Sequence, residues 1–173
     1  MKPFDFCPSC ATRLGPSDDG EGKQCPSCGR TWYRNSAPTT GCAIVSRGKA
    51  LITKRAKEPE KGLWDIPGGF LHAGEDVLDG LRREVREELG IGIDVTIKDL
   101  VSMVSHRYGE SGDYVMAIGF IARHASGDPN PADDVEEFRW VALEELDDFP
   151  FAWEHDKAVV RRALEEATDR TPE

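Results

Sequence analysis

The sequence lacks any apolar run long enough to span a membrane. Its longest one, residues 114–122, has the length of a strand and falls far short of the roughly 20 residues of a membrane helix. The first residues contain neither an apolar stretch nor a small-residue cleavage site, so we expect no secretory signal. These absences exclude a membrane-spanning segment and favour the cytoplasm as the location.

Basic side chains are scarce in the last part of the chain. The formal net charge is -10, and residues 92–173 carry 8 basic and 19 acidic groups. Residues 1–35 carry 5 and 4, and residues 36–91 carry 9 of each. An acidic surface repels a phosphate backbone, so long nucleic acids are disfavoured as partners unless a local patch or a metal reverses the field. A small phosphate-bearing ligand is compatible with this charge, and a homodimer is left open.

The chain is short for two full-size domains. Its 173 residues suit one compact domain of about 100 to 150 residues with a small appendage. The hydrophobic fraction of 39% and the charged fraction of 31% are typical of a globular protein. We therefore expect one main core and one minor module.

Cysteine is rare outside two pairs near the amino terminus. Four of the five cysteines form a repeated Cys-Pro-Ser-Cys motif with fourteen residues between the pairs, at Cys7, Cys10, Cys25 and Cys28. Each tight turn can present two thiolates to one tetrahedral site, so this spacing predicts a zinc ribbon over residues 1–35. Two disulfides or a redox-active pair are the alternatives. The fifth cysteine, Cys42, lies in an apolar run and is expected to be a buried, inert thiol.

The predicted ribbon has too few large apolar residues to build a core. They are Phe4, Phe6, Leu14, Trp32 and Tyr33. A bound metal must therefore hold the segment together. Since four thiolates complete a tetrahedral shell, no position is left for water, and the Zn²⁺ is expected to be structural.

The remaining residues are expected to form a mixed α and β domain. The predicted strands are residues 39–46, 49–54, 95–106, 113–122 and 138–142, with hairpin turns at 47–48 and 109–112. Apolar residues at helical spacing predict two helices, over residues 75–89 and 153–167.

The first predicted helix carries three glutamates at the border of its apolar face. Glu84, Glu87 and Glu88 repel one another, and Arg83 is placed to reach only Glu87. A hard divalent cation would neutralise this cluster, and carboxylate oxygens suit Mg²⁺ or Mn²⁺. Gly80 lies on the same side, where it is expected to leave room for metal and substrate. A solvated, salt-bridged helix face is the plainer alternative.

The glutamates belong to a longer pattern. From Gly69 the sequence runs five residues to Glu75, seven further residues, and then Arg-Glu-Val-Arg-Glu-Glu-Leu-Gly-Ile at 83–91. Over these 23 consecutive residues the chain resembles the Nudix box at every defining position. The resemblance to the Nudix fold, an α/β/α sandwich with a mixed sheet, extends over about residues 39–168. We therefore expect an α+β chain with a zinc ribbon (1–35) before a Nudix domain (36–173).

The resemblance implies hydrolysis of a diphosphate linked to another moiety, commonly in a nucleoside diphosphate derivative. In the family, glutamates matching Glu84, Glu87 and Glu88 bind Mg²⁺ or Mn²⁺, and a carbonyl matching Gly68 can add a ligand. Metal ions of this kind neutralise a diphosphate, polarise its oxygens and activate water for attack on phosphorus.

Further roles are assigned around the box. The residue matching Glu75 usually forms a salt bridge with the one matching Arg83, and we assign Gly69 and Arg83 to substrate binding. A general base often lies on a loop before a late strand in Nudix enzymes. The corresponding stretch is acidic here, and we expect Asp134 or Glu137 as the base, with Glu88 as a competing candidate for orienting the water.

Missing sequence signatures narrow the set of candidate substrates. The Ser-Gln-Pro-Trp-Pro-Phe-Pro run of NADH pyrophosphatases is absent after Ile91, and the coenzyme A hydrolase signature is absent upstream of the box. The zinc-ribbon subgroup without the NADH signature resembles hydrolases of ADP-ribose and FAD, which we favour. Candidate residues for stacking on a base or flavin ring are Trp64, Phe70, His106 and Tyr108. NADH or NAD and dinucleoside polyphosphates are alternative substrates, and a ligand sensor or protein-binding module is the non-enzymatic alternative.

Overall fold

A small antiparallel sheet forms the amino-terminal part of the protein. The computed structural model describes residues 5–109 and 113–169, so Phe4 and the turn residues 110–112 of the second predicted hairpin lie outside the described residues. Strands β1 (Gly15–Pro16), β2 (Gly22–Gln24) and β3 (Thr31–Tyr33) pair in that order. One cysteine pair precedes β1 and the other lies between β2 and β3, which brings the two tight turns to one end of the sheet.

The main sheet has eight strands. They are β4 (Ala37–Ser46), β5 (Lys49–Arg55), β6 (Trp64–Asp65), β7 (Gly68–Phe70), β8 (Gly92–Asp94), β9 (Leu100–Tyr108), β10 (Asp113–Ser126) and β11 (Val135–Val141). The order is β11-β5-β4-β10-β8, while β6 pairs with β5, β7 with β4 and β9 with β10. Strand β10 runs parallel to β4, and the other pairs are antiparallel, so the sheet is mixed as predicted.

Two helices cover the sheet, α1 (Val77–Leu89) and α2 (Glu154–Asp169). Helix α1 begins two residues later than the pattern predicted because the Asp76 carboxylate accepts a hydrogen bond from the Leu78 N–H at 2.9 Å and caps the helix. It ends at Gly90, whose φ of 70° is the left-handed conformation that favours glycine. Within the described ranges, no helix is long and apolar enough to cross a membrane.

The two faces of the sheet bury separate apolar cores. Alternation along β4 sends Cys42 and Ile44 toward α1 and Ala43 toward α2. The α1 core also contains Leu51, Leu81, Val85, Leu89, Ile91, Val95 and Phe120, and the α2 core contains Ile52, Trp64, Ile66, Leu146, Val160 and Leu164. This arrangement confirms the predicted α/β/α sandwich. Cys42 is fully buried, and burial raises the pKa of its thiol, as expected of an inert cysteine.

The structure differs from the sequence prediction in several short elements. The strand expected from residue 95 begins only at Leu100, because residues 97–99 form a 3-10 helix in which Asp99 accepts the Thr96 N–H at 2.8 Å. A second 3-10 helix, Leu143–Asp148, and strands β6, β7 and β8 were not predicted. Each of these strands has only two or three residues, too few to establish a period of two.

Leu81 gives a direct measure of the α1 core. Its side chain is fully buried, so we expect Leu81→Ala to lower the free energy of unfolding by about 2–5 kcal/mol, because it removes apolar contact and leaves a cavity. The matched control is Ile97→Ala, whose side chain is 60% exposed and should change stability by less than about 1 kcal/mol. Urea unfolding monitored by circular dichroism measures both variants, and equal losses would contradict the assignment of Leu81 to the core.

Candidate functional site

The turn at Gly68 and Gly69, called the glycine turn below, lies against strand β4 and faces helix α1. Gly68 has a φ of 150°, and a Cβ built there would lie 2.1 Å from the carbonyl oxygen of Thr40. No other residue fits this close approach. The turn aims the Gly68 N–H at the carboxylate of Glu88, with a donor–acceptor distance of 2.9 Å.

The three predicted metal-binding glutamates lie along one side of α1, at different depths. Glu88 is only 5% exposed, Glu84 is half-buried and Glu87 is exposed. A Cβ on Gly69 would meet the carboxylate of Glu84 at 2.6 Å, so this carboxylate lies directly on the glycine turn. The turn and the helix therefore bring the Gly68 backbone, Glu84 and Glu88 together.

Burial dominates the electrostatics of the glutamate cluster. It raises the pKa of Glu88 well above the usual range, and the nearby Asp134 carboxylate raises it further, while the Gly68 N–H opposes the shift. Burial also raises the pKa of Glu84, against the opposing effect of Arg83. A cluster of carboxylates that resists ionisation can be stabilised in its charged form by a hard divalent cation, and its donors are all oxygens, as Mg²⁺ and Mn²⁺ prefer. The residues present thus fit a divalent metal.

Arg83 forms hydrogen bonds to three glutamates. Its Nε and Nη2 donate to the two carboxylate oxygens of Glu75 at 2.8 and 2.9 Å, which confirms the predicted salt bridge. Its Nη1 donates to Glu84 at 2.7 Å and to Glu87 at 3.1 Å, so the expectation that it reaches only Glu87 was wrong. Nη2 also donates to the Phe70 carbonyl oxygen at 3.1 Å. With these five contacts the guanidinium has no donor left for a ligand, which corrects its assignment to substrate binding and gives it a supporting role.

Gly80 also has a different role from the predicted one. A Cβ at this position would lie 2.3 Å from Leu71 Cδ2 and 3.0 Å from a carboxylate oxygen of Glu75. The glycine therefore makes room for the segment that carries Glu75, which pairs with Arg83, and it leaves no opening for metal or substrate.

The structure places the two candidate bases, Asp134 and Glu137, in different surroundings. Asp134 lines a small cavity together with Gly68 and Glu88, and its carboxyl is close enough to Glu88 to form a hydrogen bond that raises the pKa of Glu88. A backbone hydrogen bond holds the loop before Asp134 against α1, because the Ala132 N–H donates to the Glu88 carbonyl oxygen at 2.8 Å. Glu137 forms a salt bridge with Arg139 and is not among the residues that line this cavity. The geometry favours Asp134 over Glu137.

An aromatic wall bounds the cleft next to the glutamates. Phe70 contacts Tyr108 edge to face at a centroid distance of 5.4 Å, and Tyr108 stacks on Trp153 at 5.7 Å with an interplanar angle of 21°. The Arg55 guanidinium carbon lies 4.7 Å from the centre of the Trp153 ring. The cavity beside these rings has a volume of about 100 Å³ and is lined by Gly69, Phe70, His106 and Tyr108 among others.

Trp64 does not belong to this wall, which corrects its assignment to substrate binding. Its side chain is 8% exposed, packs edge to face on Phe149 at 5.0 Å and belongs to the α2 core. Trp153 lines the cleft instead, although its spacing had placed it on the apolar face of the second helix. Helix α2 begins one residue later, at Glu154, and this frees Trp153 to turn toward Tyr108.

Polar groups that the sequence did not reveal line the inner end of the cleft. Arg55 Nη1 donates to Asp65 at 2.8 Å, and Asp65 is hydrogen-bonded to the buried carboxyl of Asp156. Burial, reinforced by the charge of Asp65, raises the pKa of Asp156 well above its usual range, so the pair shares a proton. Burial and His106 lower the pKa of His155 to about 4, which keeps that ring neutral. In the described chain, His155 Nε2 and the Thr40 hydroxyl are buried without a hydrogen-bond partner, and both residues line the cleft.

The four predicted zinc ligands meet at the end of the small sheet. The Sγ atoms of Cys7 and Cys28 are 3.7 Å apart and those of Cys10 and Cys25 are 3.5 Å apart. All four Sγ atoms lie within 4.8 Å of one another. Tetrahedral zinc with Zn–S bonds of about 2.3 Å requires sulfurs about 3.8 Å apart, so the cluster has the dimensions of a structural Zn²⁺ site without an open position.

Two known domains match the chain. The NUDIX domain matches residues 36–163, and the NADH pyrophosphatase zinc ribbon domain matches residues 4–33. The chain belongs to the NUDIX family. Its Nudix fold is shared with a NUDIX hydrolase from Nitrosomonas europaea, with a TM-score of 0.79 and 23% identity over 98% of this chain and 95% of the other. A MutT NUDIX hydrolase from Burkholderia pseudomallei is 34% identical over 76% of this chain and 97% of its own, with a TM-score of 0.62.

Curated relatives of this Nudix chain carry two different names. The NAD-capped RNA hydrolase NudC of Chromobacterium violaceum is 30% identical over 95% of this chain and 58% of its own length. The ADP-ribose pyrophosphatase of Methanocaldococcus jannaschii is 30% identical over 73% of each chain. The chain thus spans only about half the length of the NudC relatives that it matches.

Gly69→Ala tests the contact between the glycine turn and the glutamates. Because the new Cβ would overlap the Glu84 carboxylate, we expect this variant of the Nudix domain to bind Mn²⁺ at least about tenfold more weakly, a cost of roughly 1.4 kcal/mol. Titration of Mn²⁺ followed by electron paramagnetic resonance measures the affinity. Gly15→Ala is the control, since a Cβ there meets no atom within 4 Å. Unchanged Mn²⁺ affinity in Gly69→Ala would remove Glu84 from the metal site.

Asp156→Asn tests the shared proton in the cleft. The raised pKa keeps Asp156 protonated in the folded protein while the unfolded carboxyl ionises near pH 4, so the wild type loses stability relative to the variant as pH rises from about 4 to 7. Urea unfolding across this range measures the difference. Asp147→Asn serves as a control of opposite sign, because Lys157 and Arg161 lower the pKa of Asp147 and its contribution is lost as the pH falls through that pKa. A difference for Asp156→Asn that grows in the other direction would exclude the shared proton.

Proposed function

We propose that this protein hydrolyses the diphosphate bond of a nucleoside diphosphate derivative with the help of Mg²⁺ or Mn²⁺. The observation that carries the proposal is the buried Glu88 carboxylate, hydrogen-bonded to Gly68 and adjacent to Asp134, at one end of an aromatic cleft. This juxtaposition offers hard oxygen ligands for a metal beside rings that can hold a planar base. It therefore suits a ligand that joins a diphosphate to an aromatic group.

The proposed site residues have two roles, metal binding and proton transfer. Glu84, Glu87 and Glu88, with the Gly68 carbonyl, would hold the divalent ions, which when bound neutralise phosphate charge and lower the pKa of a coordinated water. Asp134 lies next to Glu88 and accepts the proton that water loses as it attacks phosphorus.

The cleft positions the other end of the substrate. Tyr108 and Trp153, stacked on each other, form an aromatic wall beside which a planar ring can pack, and Phe70 closes the edge beside Gly69. The neutral His155 and the Thr40 hydroxyl provide hydrogen-bonding atoms that have no partner in the described protein. A buried polar atom without a partner is costly, so a ligand that satisfies it gains affinity and specificity.

We favour ADP-ribose or FAD as the substrate class. The similarity to an ADP-ribose pyrophosphatase supports this reading, as does the missing Ser-Gln-Pro-Trp-Pro-Phe-Pro run after Ile91. NADH or NAD is the alternative that the comparisons favour somewhat, through the NADH pyrophosphatase zinc ribbon and the relatives named NAD-capped RNA hydrolase. Dinucleoside polyphosphates stay a weaker alternative. A purely ligand-sensing or protein-binding role is disfavoured because every box glutamate is retained.

Three other assignments stay proposals. The ribbon at residues 1–35 and the Nudix domain at 36–173 are proposed as separate units, and a homodimer is still untested. The cytoplasm is the proposed location because four cysteines that form a zinc site and no disulfide suit a reducing compartment.

An isosteric series tests the proposed catalytic groups. Glu88→Gln and Asp134→Asn remove charge but little volume, so we expect turnover to fall roughly 100-fold or more for Glu88→Gln and at least about tenfold for Asp134→Asn. Glu137→Gln is the matched control and should retain most of the activity, because Glu137 pairs with Arg139 outside the cavity. Steady-state kinetics at saturating Mg²⁺ and thermal unfolding are measured for each variant. Half of the wild-type activity in Glu88→Gln would remove Glu88 from the site.

Product analysis tests the reaction itself. ADP-ribose should give AMP and ribose 5-phosphate, and FAD should give AMP and FMN, because water attacks one phosphorus of the bridged pair. A Mg²⁺-dependent screen over ADP-ribose, FAD, NADH and dinucleoside polyphosphates, with products identified by mass, also ranks the substrates. In heavy-oxygen water a single turnover should label one phosphate product. Label in a sugar hydroxyl, or inorganic phosphate as the only phosphorus product, would show that a different bond is cleaved.

A further inference from the structure

A second concave surface lies at the other end of the sandwich from the glycine turn. It has a volume of about 510 Å³ and is formed by the β4–β5 turn, the start of β9 and the carboxyl-terminal half of α2. Its floor is apolar, with Val45, Val101, Ile121 and Ala163. We refer to this surface as the α2 groove.

Four cations line the α2 groove: Arg47, Lys98, Arg123 and Arg162. Arg162 donates to Glu166 at 3.0 Å. The other three form no ion pair with any residue in 5–109 or 113–169. The groove therefore presents three cations without a salt-bridge partner among the described residues.

The groove also contains three carboxylates, one fewer than its cations. They are Asp94, Asp99 and Glu166. Asp99 accepts hydrogen bonds from the backbone and the hydroxyl of Thr96, both at 2.8 Å, and Glu166 is the partner of Arg162. Asp94 lies opposite Arg123 in the strand register without a salt bridge to it. Among the described residues, four cations against three carboxylates give the lining of the groove a charge of +1 in a chain of net charge -10.

The position of the cations in the sequence makes this local charge notable. Residues 92–173 contain 8 basic and 19 acidic groups, yet Lys98, Arg123 and Arg162 all come from this segment and meet at one surface. Cations that share a groove repel one another, and the arrangement becomes favourable when an anion lies between them.

The groove is separate from the proposed catalytic cleft. Gly119 and Ser102 line the cleft, and Ile121 and Val101, close by on the same strands, line the groove. Between them α2 lies directly on the sheet, since a Cβ at Gly119 would lie 2.9 Å from Val159 Cγ2. A ligand in the groove therefore does not overlap one in the cleft.

We propose that the α2 groove is a second anion-binding site that takes a phosphate-bearing ligand on Lys98, Arg123 and Arg47. The apolar floor and the unpaired cations suit a ligand with several phosphates, which can come from a free polyphosphate compound or from a short single-stranded oligonucleotide. The site does not depend on the proposed hydrolysis, because none of its residues lines the cleft.

A binding experiment with two probes tests this proposal. Inorganic tripolyphosphate is titrated by calorimetry, and a fluorescein-labelled oligoribonucleotide of about five nucleotides is titrated by anisotropy, at low salt and without added divalent cation. The groove variant is Lys98→Gln with Arg123→Gln. The matched control is Lys61→Gln with Arg86→Gln, which removes the same charge from two exposed positions outside the groove. Thermal unfolding establishes that both double variants fold.

The proposal predicts that the groove variant raises the dissociation constant of a binding probe at least about fivefold, and the control less than about twofold. Binding of tripolyphosphate alone assigns a small polyphosphate ligand, and tighter binding of the oligonucleotide assigns a nucleic-acid chain. Equal losses in the two double variants, or no binding of either probe at about 1 mM, overturn the proposal.

Discussion

The hydrogen bond from the Gly68 N–H to the buried carboxylate of Glu88 is the contact on which the candidate site depends. It joins a turn that only glycine can form to a helix residue twenty positions further along the chain. An ionisable group at 5% exposure is costly unless it is hydrogen-bonded or paired. One backbone N–H meets only part of that requirement, and the nearby Asp134 works against it. Glu88 is therefore a buried carboxyl whose ionised form the surrounding protein groups do not fully stabilise.

The α/β/α sandwich determines where these carboxylates lie. Helix α1 buries Leu81, Val85 and Leu89 against the sheet, and the same face carries Glu88 inward at its edge. The parallel pairing of β10 with β4 places the cleft residues of both strands side by side, next to the glycine turn. Core packing therefore fixes the backbone that carries the site. On the other face, the start of α2 sets Trp153 and the Asp156 carboxyl at the inner end of the cleft.

The sequence predicts the part of the site whose residues lie close together along the chain. Glutamate spacing on one helix, the glycine turn before it and the two Cys-Pro-Ser-Cys turns are local patterns, and local geometry determines where their side chains lie. Both core layers of the fold also follow from strand alternation and helical spacing. Trp64 and Trp153 show where prediction from the sequence stops. Each is an aromatic residue in an apolar setting, and only the tertiary packing of β6 and α2 decides which one faces the core and which one the cleft. Arg55, Asp65 and Asp156 escaped detection for the same reason, since they are distant in sequence and meet only in the folded chain.

The contacts of Arg83 bear on the proposed metal site. Its guanidinium donates hydrogen bonds to Glu84 and Glu87, two of the three glutamates proposed as metal ligands. A divalent ion held by these carboxylates would compete with Arg83 for them. Each contact given up would weaken the net metal affinity, and a hydrogen bond to a charged group contributes about 1.5–3 kcal/mol. Arg83 also ties the glycine turn to α1, because it donates to the Phe70 carbonyl oxygen as well as to Glu75. At the proposed metal site Arg83 would therefore act as a competing internal cation.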